Sequence, residues 1–184
     1  TNNGLNRFEA AGKYFTRFTS LREDPDSVGG NIIHVIYKDH SGGLWIGTNN
    51  GLDRYDPQTN NFIHHRHQPT VGNSLNNDTV YEIYEDTNNV LWIGTFGGGL
   101  NKYNRQQDKF TYYRHNPDDP NSLSADFIFP ILVDKEGIVW LGTSGGGLNR
   151  FDPISGQFTH YRNDPSNPRS ISSDTVTSLI SDPT

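Results

Sequence analysis

The chain has 184 residues, with 15 basic and 21 acidic residues, a formal net charge of -6 and no cysteine. Its Lys and Arg residues are spread along the sequence, which excludes the basic stripe that nucleic-acid or anionic-membrane binding needs. The lack of cysteine excludes disulfides, zinc–thiolate sites and thiol nucleophiles. No apolar run approaches the roughly 18 to 20 residues of a transmembrane helix, so we expect no direct membrane contact from this chain.

An internal repeat organises the whole sequence. The tryptophans of one recurring string, LWIGT or VWLGT, lie 47 and 48 residues apart: Trp45, Trp92 and Trp140. Each unit contains four short β-branched and aromatic runs separated by Gly, Asn and Pro turns, a pattern typical of strands. Four short strands at this period predict an all-β fold, a β-propeller made of four-stranded antiparallel blades, with about four repeats of 47–48 residues.

In chain order, the repeat divides the sequence into five parts. Residues 1–26 form a partial blade that starts at the end of a second strand, at Thr1. Residues 27–73, 74–121 and 122–169 form three full blades, and residues 170–184 form a partial blade with a first strand only. Because incomplete blades leave backbone edges unpaired, we expect either more blades in a longer parent protein or ring closure with another copy of the chain.

The first strands carry apolar residues at two recurring positions, which predicts that neighbouring blades cover them on both faces. These positions are Ile33, Val80, Ile128 and Val176, and then Ile36, Ile83, Ile131 and Leu179. We expect the tryptophans of the second strands to fill the space between the sheets.

Glycine and asparagine follow each second strand, as in Asn49-Asn50-Gly51. A tight hairpin at this point needs positive φ, which both residue types tolerate. A phosphate cradle is the functional alternative, but such loops lead into a helix and these lead into a strand. We therefore interpret them as turns.

An aspartate closes the first strand of every unit: Asp39, Asp86, Asp134 and Asp182. A carboxylate at this point can accept backbone N–H bonds from the following turn, and calcium is the competing interpretation. No unit has alternating acidic residues around one loop, which favours the turn.

The run His64-His65-Arg66-His67 is the other candidate metal site. Alternate side chains of a strand face opposite sides, so a shared ion would require a bulge. Aromatic residues and Asn stand at the equivalent places, and we interpret this strand as a solvated outer strand. We expect no metal, no cofactor and no enzymatic activity. Asp78 and Asp126 are the only carboxylate pair to consider for glycosidase-type chemistry.

Ligand contacts are expected where equivalent units differ, because those positions are free of the shared packing requirement. The second position of the first-strand core varies between His34, Tyr81, Phe129 and Thr177, and the third between Val35, Glu82, Pro130 and Ser178. The turns after the second strands vary as well, and both features belong to one rim of the channel. This aromatic and polar rim suits a sugar. The predicted ligand-binding residues are His34, Asn49, Asn50, Asn77, Asp78, Tyr81, Phe96, Asp126, Phe129, Ser144 and Thr177.

The strings LWIGTNNGLDRYDPQTNNF, LWIGTFGGGLNKYNRQQDKF and VWLGTSGGGLNRFDPISGQF resemble the two-component regulator propeller repeat. The resemblance covers essentially the whole chain. It implies a propeller in the extracytoplasmic sensor region of a bacterial hybrid histidine kinase, or of a receptor with a diguanylate cyclase or DNA-binding output. It also implies a periplasmic or extracellular location and a membrane-anchored receptor.

Two functions follow as expectations. The first is a non-catalytic sensor propeller that binds a ligand of the oligosaccharide class on the channel rim. The alternative is a structural or protein-interaction propeller that mediates receptor dimerisation and binds no small molecule.

Overall fold

The computed structural model describes residues 2–182 and contains fourteen β-strands there and no helix. The first pair is β1 (Leu5–Glu9) and β2 (Tyr14–Phe18). The second set is β3 (Ile33–Lys38), β4 (Leu44–Thr48), β5 (Gly51–Tyr55) and β6 (Phe62–His65). The third is β7 (Val80–Glu85), β8 (Leu91–Thr95), β9 (Gly99–Asn104) and β10 (Lys109–Tyr113). The fourth is β11 (Ile128–Val133), β12 (Val139–Thr143), β13 (Leu148–Asp152) and β14 (Gln157–Tyr161).

These strands form three four-stranded antiparallel sheets and one two-stranded sheet, each in sequential order. We call them the first blade (β1–β2), the second (β3–β6), the third (β7–β10) and the fourth (β11–β14). Each full sheet is a meander, so all its strands lie side by side in chain order. The prediction of an all-β propeller with four-stranded antiparallel blades is confirmed.

The core of the molecule lies between blades. One buried cluster joins the first and second blades, one the second and third, and one the third and fourth. Trp45 meets Tyr103 of the next blade with ring centroids 5.6 Å apart, and Trp92 meets Phe151 at 6.0 Å. Trp45 and Trp92 therefore fill the space between the sheets, as the repeat predicts, whereas Trp140 is half-buried and stacks on Tyr161 of its own blade.

Each tryptophan is held by the aspartate that closes the first strand of its own blade. The indole N–H donates to Asp39 Oδ2 at 2.8 Å in the second blade, and to Asp86 Oδ2 at 3.0 Å in the third. The other oxygen of Asp39 accepts the Gly43 N–H of the hairpin at 2.6 Å. Asp134 repeats the arrangement with Trp140 in the fourth blade. The turn interpretation of this series thus holds for these three residues, and the bond to the indole is an addition to it.

The hairpin after each second strand relies on glycine rather than asparagine. Gly51 has a φ of 107°, whereas Asn49 and Asn50 are absent from the described residues with positive φ. The prediction of positive φ at the two asparagines is therefore wrong. Asn50 instead donates its side-chain amide to the carbonyl of Gly29 at 2.7 Å, which ties the hairpin to the loop that enters the blade.

Neighbouring blades approach through a glycine in each second strand. A methyl group on Gly47 would lie 2.7 Å from Val80 Cγ1, and one on Gly94 would lie 2.7 Å from Ile128 Cγ2. Both contacts reach the first strand of the next blade. These glycines are needed for space, since no side chain fits in the seam.

The first and the last of the predicted first strands differ from the expected two-sided burial. Ile36 is 52% exposed, because within residues 2–182 the first blade contributes only β1 and β2 and no inner strand beside β3. The expected first strand after residue 170 is also missing: Thr175 forms a single bridge to Ser144, and residues 176–182 form no strand. Within the described residues, no second strand pairs with this segment. Thr1, the predicted end of a second strand, lies outside the described residues.

The seam glycine gives a testable prediction. Gly94→Ala places a methyl group against Ile128, and we expect it to lower the free energy of unfolding by about 1 to 3 kcal/mol. Gly72→Ala is the matched control, because Gly72 has open space around it and no positive φ, so we expect no loss of stability. Urea unfolding followed by tryptophan fluorescence measures both. Equal stability of the two variants would contradict the proposed role of the seam.

Candidate functional site

The starts of the first strands, the turns after the second strands and the loops between blades all lie at one end of the sheets, because neighbouring strands are antiparallel. We call this end the rim. Ten of the eleven predicted ligand residues lie there within regular blades. Thr177 is the exception, since it lies in the terminal segment that forms no strand.

Every first strand of a full blade is irregular near its start. The pairing register shifts between Ile33 and Val35, between Val80 and Glu82, and between Ile128 and Ile131. A bulge takes a residue out of the hydrogen-bonded ladder and redirects its side chain. His34, Tyr81 and Phe129 lie at these irregularities.

The redirected rings meet one another across the blades. His34 stacks on Tyr81 with ring centroids 4.2 Å apart and an interplanar angle of 17°. Tyr81 contacts Phe129 edge-on at 6.0 Å and Phe96 at 5.5 Å, and Phe96 contacts Phe127 at 4.3 Å. We call these five residues the aromatic row. It joins the second, third and fourth blades along the rim.

The aromatic row is exposed at one end and half-buried at the other. Phe96 is 45% exposed and Phe127 37%, while His34, Tyr81 and Phe129 are half-buried. His34 Nε2 is buried, and it neither donates nor accepts a hydrogen bond within the described residues. Burial also lowers the pKa of His34, so its ring behaves as a neutral aromatic surface at neutral pH.

The predicted carboxylates of the rim hold the backbone in place. Asp78 Oδ1 accepts the N–H of His67 at 2.6 Å, and Asp126 Oδ1 accepts that of His115 at 2.7 Å. Asp126 also pairs with Arg114 at 3.1 Å. Both residues use their backbone carbonyls to receive the glycine turns after the second strands. They fasten one blade to the next.

The predicted amides and hydroxyl have similar local roles. Asn49 Oδ1 accepts the Ile32 N–H at 3.3 Å, and Asn77 Oδ1 accepts the Thr79 N–H at 2.8 Å. The backbone N–H of Ser144 donates to the carbonyl of Phe127. Asn49 is nevertheless exposed at the tip of its turn on the rim.

The model of the family described as two component regulator propeller matches residues 27–50, 74–97 and 122–145. These three segments each contain the loop, first strand and second strand of one full blade. The three full blades of this chain are thus two-component regulator propeller repeats. No curated protein matches the chain significantly.

Solved structures agree with this family. The extracellular domain of a hybrid two-component system from B. thetaiotaomicron superposes with a TM-score of 0.71 at 30% identity, over 80% of this chain and 20% of that chain. A second B. thetaiotaomicron extracellular domain, from a one-component system, gives 0.76 at 24%, over 99% and 23%. PorZ, a type-IX secretion surface component of Porphyromonas gingivalis, gives 0.66 at 21%, over 99% and 28%. The last two likenesses show the fold alone. The chain thus spans only about a quarter of these structures or less.

The run His64–His67 in the second blade is not exposed to solvent over its whole length. His65 has a side chain only 10% exposed and packs against Trp45, Tyr103 and Phe110. Burial lowers the pKa of His65 accordingly. The interpretation as a solvated outer strand is wrong for His65, because this ring fills the seam to the third blade. His64 faces the other side and contacts Asp53 at 2.6 Å.

A cluster of charged residues lies at the end of the blades opposite the rim. Arg105 pairs with Asp39 at 3.1 Å and with Glu85 at 2.5 Å, and both carboxylates have fully buried side chains. Burial alone would raise the pKa of Asp39, but bonds from its own hairpin and the Arg105 charge lower it overall. Pro57 and Pro153 replace Arg105 in the other full blades, so this cluster joins only the second and third blades.

Within residues 2–182, no helix is long and apolar enough to cross a membrane, and no group of three or more acidic or histidine side chains is placed to hold a metal ion.

Glu82 is a rim residue that is missing from the predicted set of ligand-binding residues. It lies directly after Tyr81 in β7, is half-buried, and among the described residues accepts a hydrogen bond only from the backbone of Ile83. Burial raises the pKa of Glu82 to about 7. The signal in the sequence is the contrast with Val35 and Pro130 at the equivalent positions, where no charge occurs.

This shift predicts a pH-dependent effect of Glu82→Gln on stability. Because the pKa is raised in the folded state, the carboxylate destabilises the fold progressively as pH rises from 4.5 through about 7. We expect the variant to gain at least about 1 kcal/mol more unfolding free energy at pH 8 than at pH 5. Urea unfolding at both values measures this difference. Glu136→Gln, at an exposed residue of the β11–β12 hairpin, is the control. An equal gain at both pH values would argue against a desolvated carboxylate.

Proposed function

We propose that this chain is a non-catalytic, extracytoplasmic sensor propeller of a bacterial two-component-type receptor, and that it binds an oligosaccharide on the rim. The aromatic row is the observation that carries the proposal. It presents ring surfaces from three blades on one side of the fold.

The chemistry of the row fits sugar rings. The C–H face of a pyranose packs well on an aromatic face, and surrounding amides and hydroxyls bond its hydroxyl groups. Asn49 is an exposed amide of this kind. The row is also preformed, because each ring is held by its neighbours, and this lowers the ordering cost of binding.

Two observations support the sensing role and the absence of catalysis. The B. thetaiotaomicron domain at 30% identity is an extracellular part of a two-component system. The carboxylates Asp78 and Asp126 are occupied by backbone N–H groups, so neither is placed to move a proton on a bound sugar. The proposal therefore assigns recognition and signal transmission to this propeller.

Tyr81→Ala tests the aromatic row, because Tyr81 contacts three of its members. We expect binding of neutral or acidic oligosaccharides to weaken by about tenfold or more, since a lost stacking contact is worth about 0.5 to 1.5 kcal/mol beyond its buried area. Isothermal titration calorimetry against an oligosaccharide panel measures the affinity.

Tyr112→Ala is the matched control, because Tyr112 is exposed on the outer strand β10 and its ring contacts no member of the aromatic row. We expect it to bind like the unmodified chain. If no oligosaccharide binds, or if both variants bind equally well, the rim proposal fails.

The dimerisation alternative has its own supporting observation. Phe8 and Phe15 form an exposed pair on the two-stranded first blade, with centroids 5.2 Å apart, and Ile36 is exposed on the adjacent inner strand. Such neighbouring apolar surface and an open sheet edge favour association with further β-structure.

Phe15→Ser tests this alternative. If the first blade mediates self-association, we expect the chain to sediment as a dimer and the variant as a monomer in analytical ultracentrifugation. Tyr112→Ser, which alters an exposed aromatic on another sheet, is the control. A monomeric unmodified chain at high concentration would contradict the dimer.

A further inference from the structure

Glu82 lies in the seam between the third and fourth blades, next to the aromatic row. A methyl group on Gly94 would lie 3.5 Å from Glu82 Cβ and 2.7 Å from Ile128 Cγ2. The side chain of Glu82 therefore starts from a strand position that is lined by Gly94 and by the side chain of Ile128. Its neighbour in sequence, Tyr81, is the central ring of the row.

No cation of the described structure compensates this carboxylate. The strands β3, β4, β8 and β11 pack against β7, and the last three contain no charged or titratable residue. On β3, burial lowers the pKa of His34 and favours its neutral form, and the hydroxyl of Tyr37 accepts the backbone N–H of Glu85 at 3.1 Å. Lys38 lies at the other end of β3, opposite Leu44. On β7 itself, Glu85 is occupied by Arg105 at the far end.

The fold does not require an acid at this place. In the other two full blades the equivalent positions carry Val35 and Pro130, and these apolar residues fill the same seam position above Gly47 and Gly142. A half-buried carboxylate with a backbone hydrogen bond but no counter-charge is unfavourable for the fold, and such groups concentrate at functional sites. Glu82 thus lowers the stability of the fold, and packing does not explain why an acid stands there.

We propose that Glu82 binds the ammonium group of an amino sugar whose ring stacks on the aromatic row. This inference rests on the proposed function and specifies its ligand class. An ammonium group supplies the missing counter-charge, and it is also attracted to the faces of adjacent aromatic rings. A neutral or acidic sugar of the same ring shape lacks this pairing.

The electrostatic environment of Glu82 agrees with such a ligand. Burial raises the pKa of Glu82 to about 7, so a large share of the carboxyl group is neutral at neutral pH without a ligand. A bound ammonium favours the ionised form and lowers that pKa again. Ligand binding at pH 7 therefore shifts Glu82 from its neutral to its ionised form.

A pair of probes tests the proposal on the full chain. Chitosan tetrasaccharide carries free amines, and its fully N-acetylated counterpart has the same backbone without the charge. We expect calorimetry at pH 7 to show the amino form binding at least about tenfold more tightly, which corresponds to about 1.4 kcal/mol. Glu82→Gln should remove this preference, and Glu136→Gln should retain it.

Carbon-13 NMR of the Glu82 carboxyl group gives an independent readout. We expect its pKa to fall on addition of the amino tetrasaccharide and to stay unchanged with the acetylated one. Thermal unfolding of each variant confirms that it is folded.

The outcomes separate this inference from the proposed function. Equal affinity for both tetrasaccharides, or an amine preference that survives Glu82→Gln, overturns the amino-sugar proposal and leaves oligosaccharide binding in place. Binding of neutral or acidic oligosaccharides alone does the same. If no oligosaccharide of any kind binds, both proposals fail.

Discussion

The close approach of neighbouring blades is the constraint on which the rest of the structure depends. At Gly47 and Gly94, the first strand of the following blade comes so near that a single methyl group would collide with Val80 or Ile128. This proximity excludes water and lets Trp45 and Trp92 reach aromatic partners in the next blade. The buried bond from each indole to its aspartate then avoids an unsatisfied donor in the core.

The same proximity explains why most polar rim residues are structural. Two sheets that pack this closely must also join their loops without leaving buried N–H groups unpaired. Asp78 and Asp126 meet that need at the ends of the outer strands, and Asn101 and Asn149 meet it from the third strands, where each accepts a backbone N–H at 3.0 Å. Side chains committed to the seam have little freedom to recognise a ligand.

The repeat period was sufficient to predict the blades, because glycine turns and second-strand tryptophans mark every unit. It also indicated that His34, Tyr81 and Phe129 vary, but it could not predict that their rings touch, since this depends on a register shift within each first strand. The burial of His65 could not be predicted from the repeat for a similar reason. Its environment comes from the following blade, and a comparison of equivalent units does not describe contacts between units.

A repeat array can acquire a specific site only where its shared packing rule leaves a side chain unconstrained. The bulges create such places, because a residue that leaves the ladder no longer has to match its neighbours in size or polarity. Tyr81 and Glu82 lie together at one of them, the first in contact with other rings and the second without a counter-charge. Since the fold gains nothing from a desolvated carboxylate there, the pair is better explained by recognition than by packing.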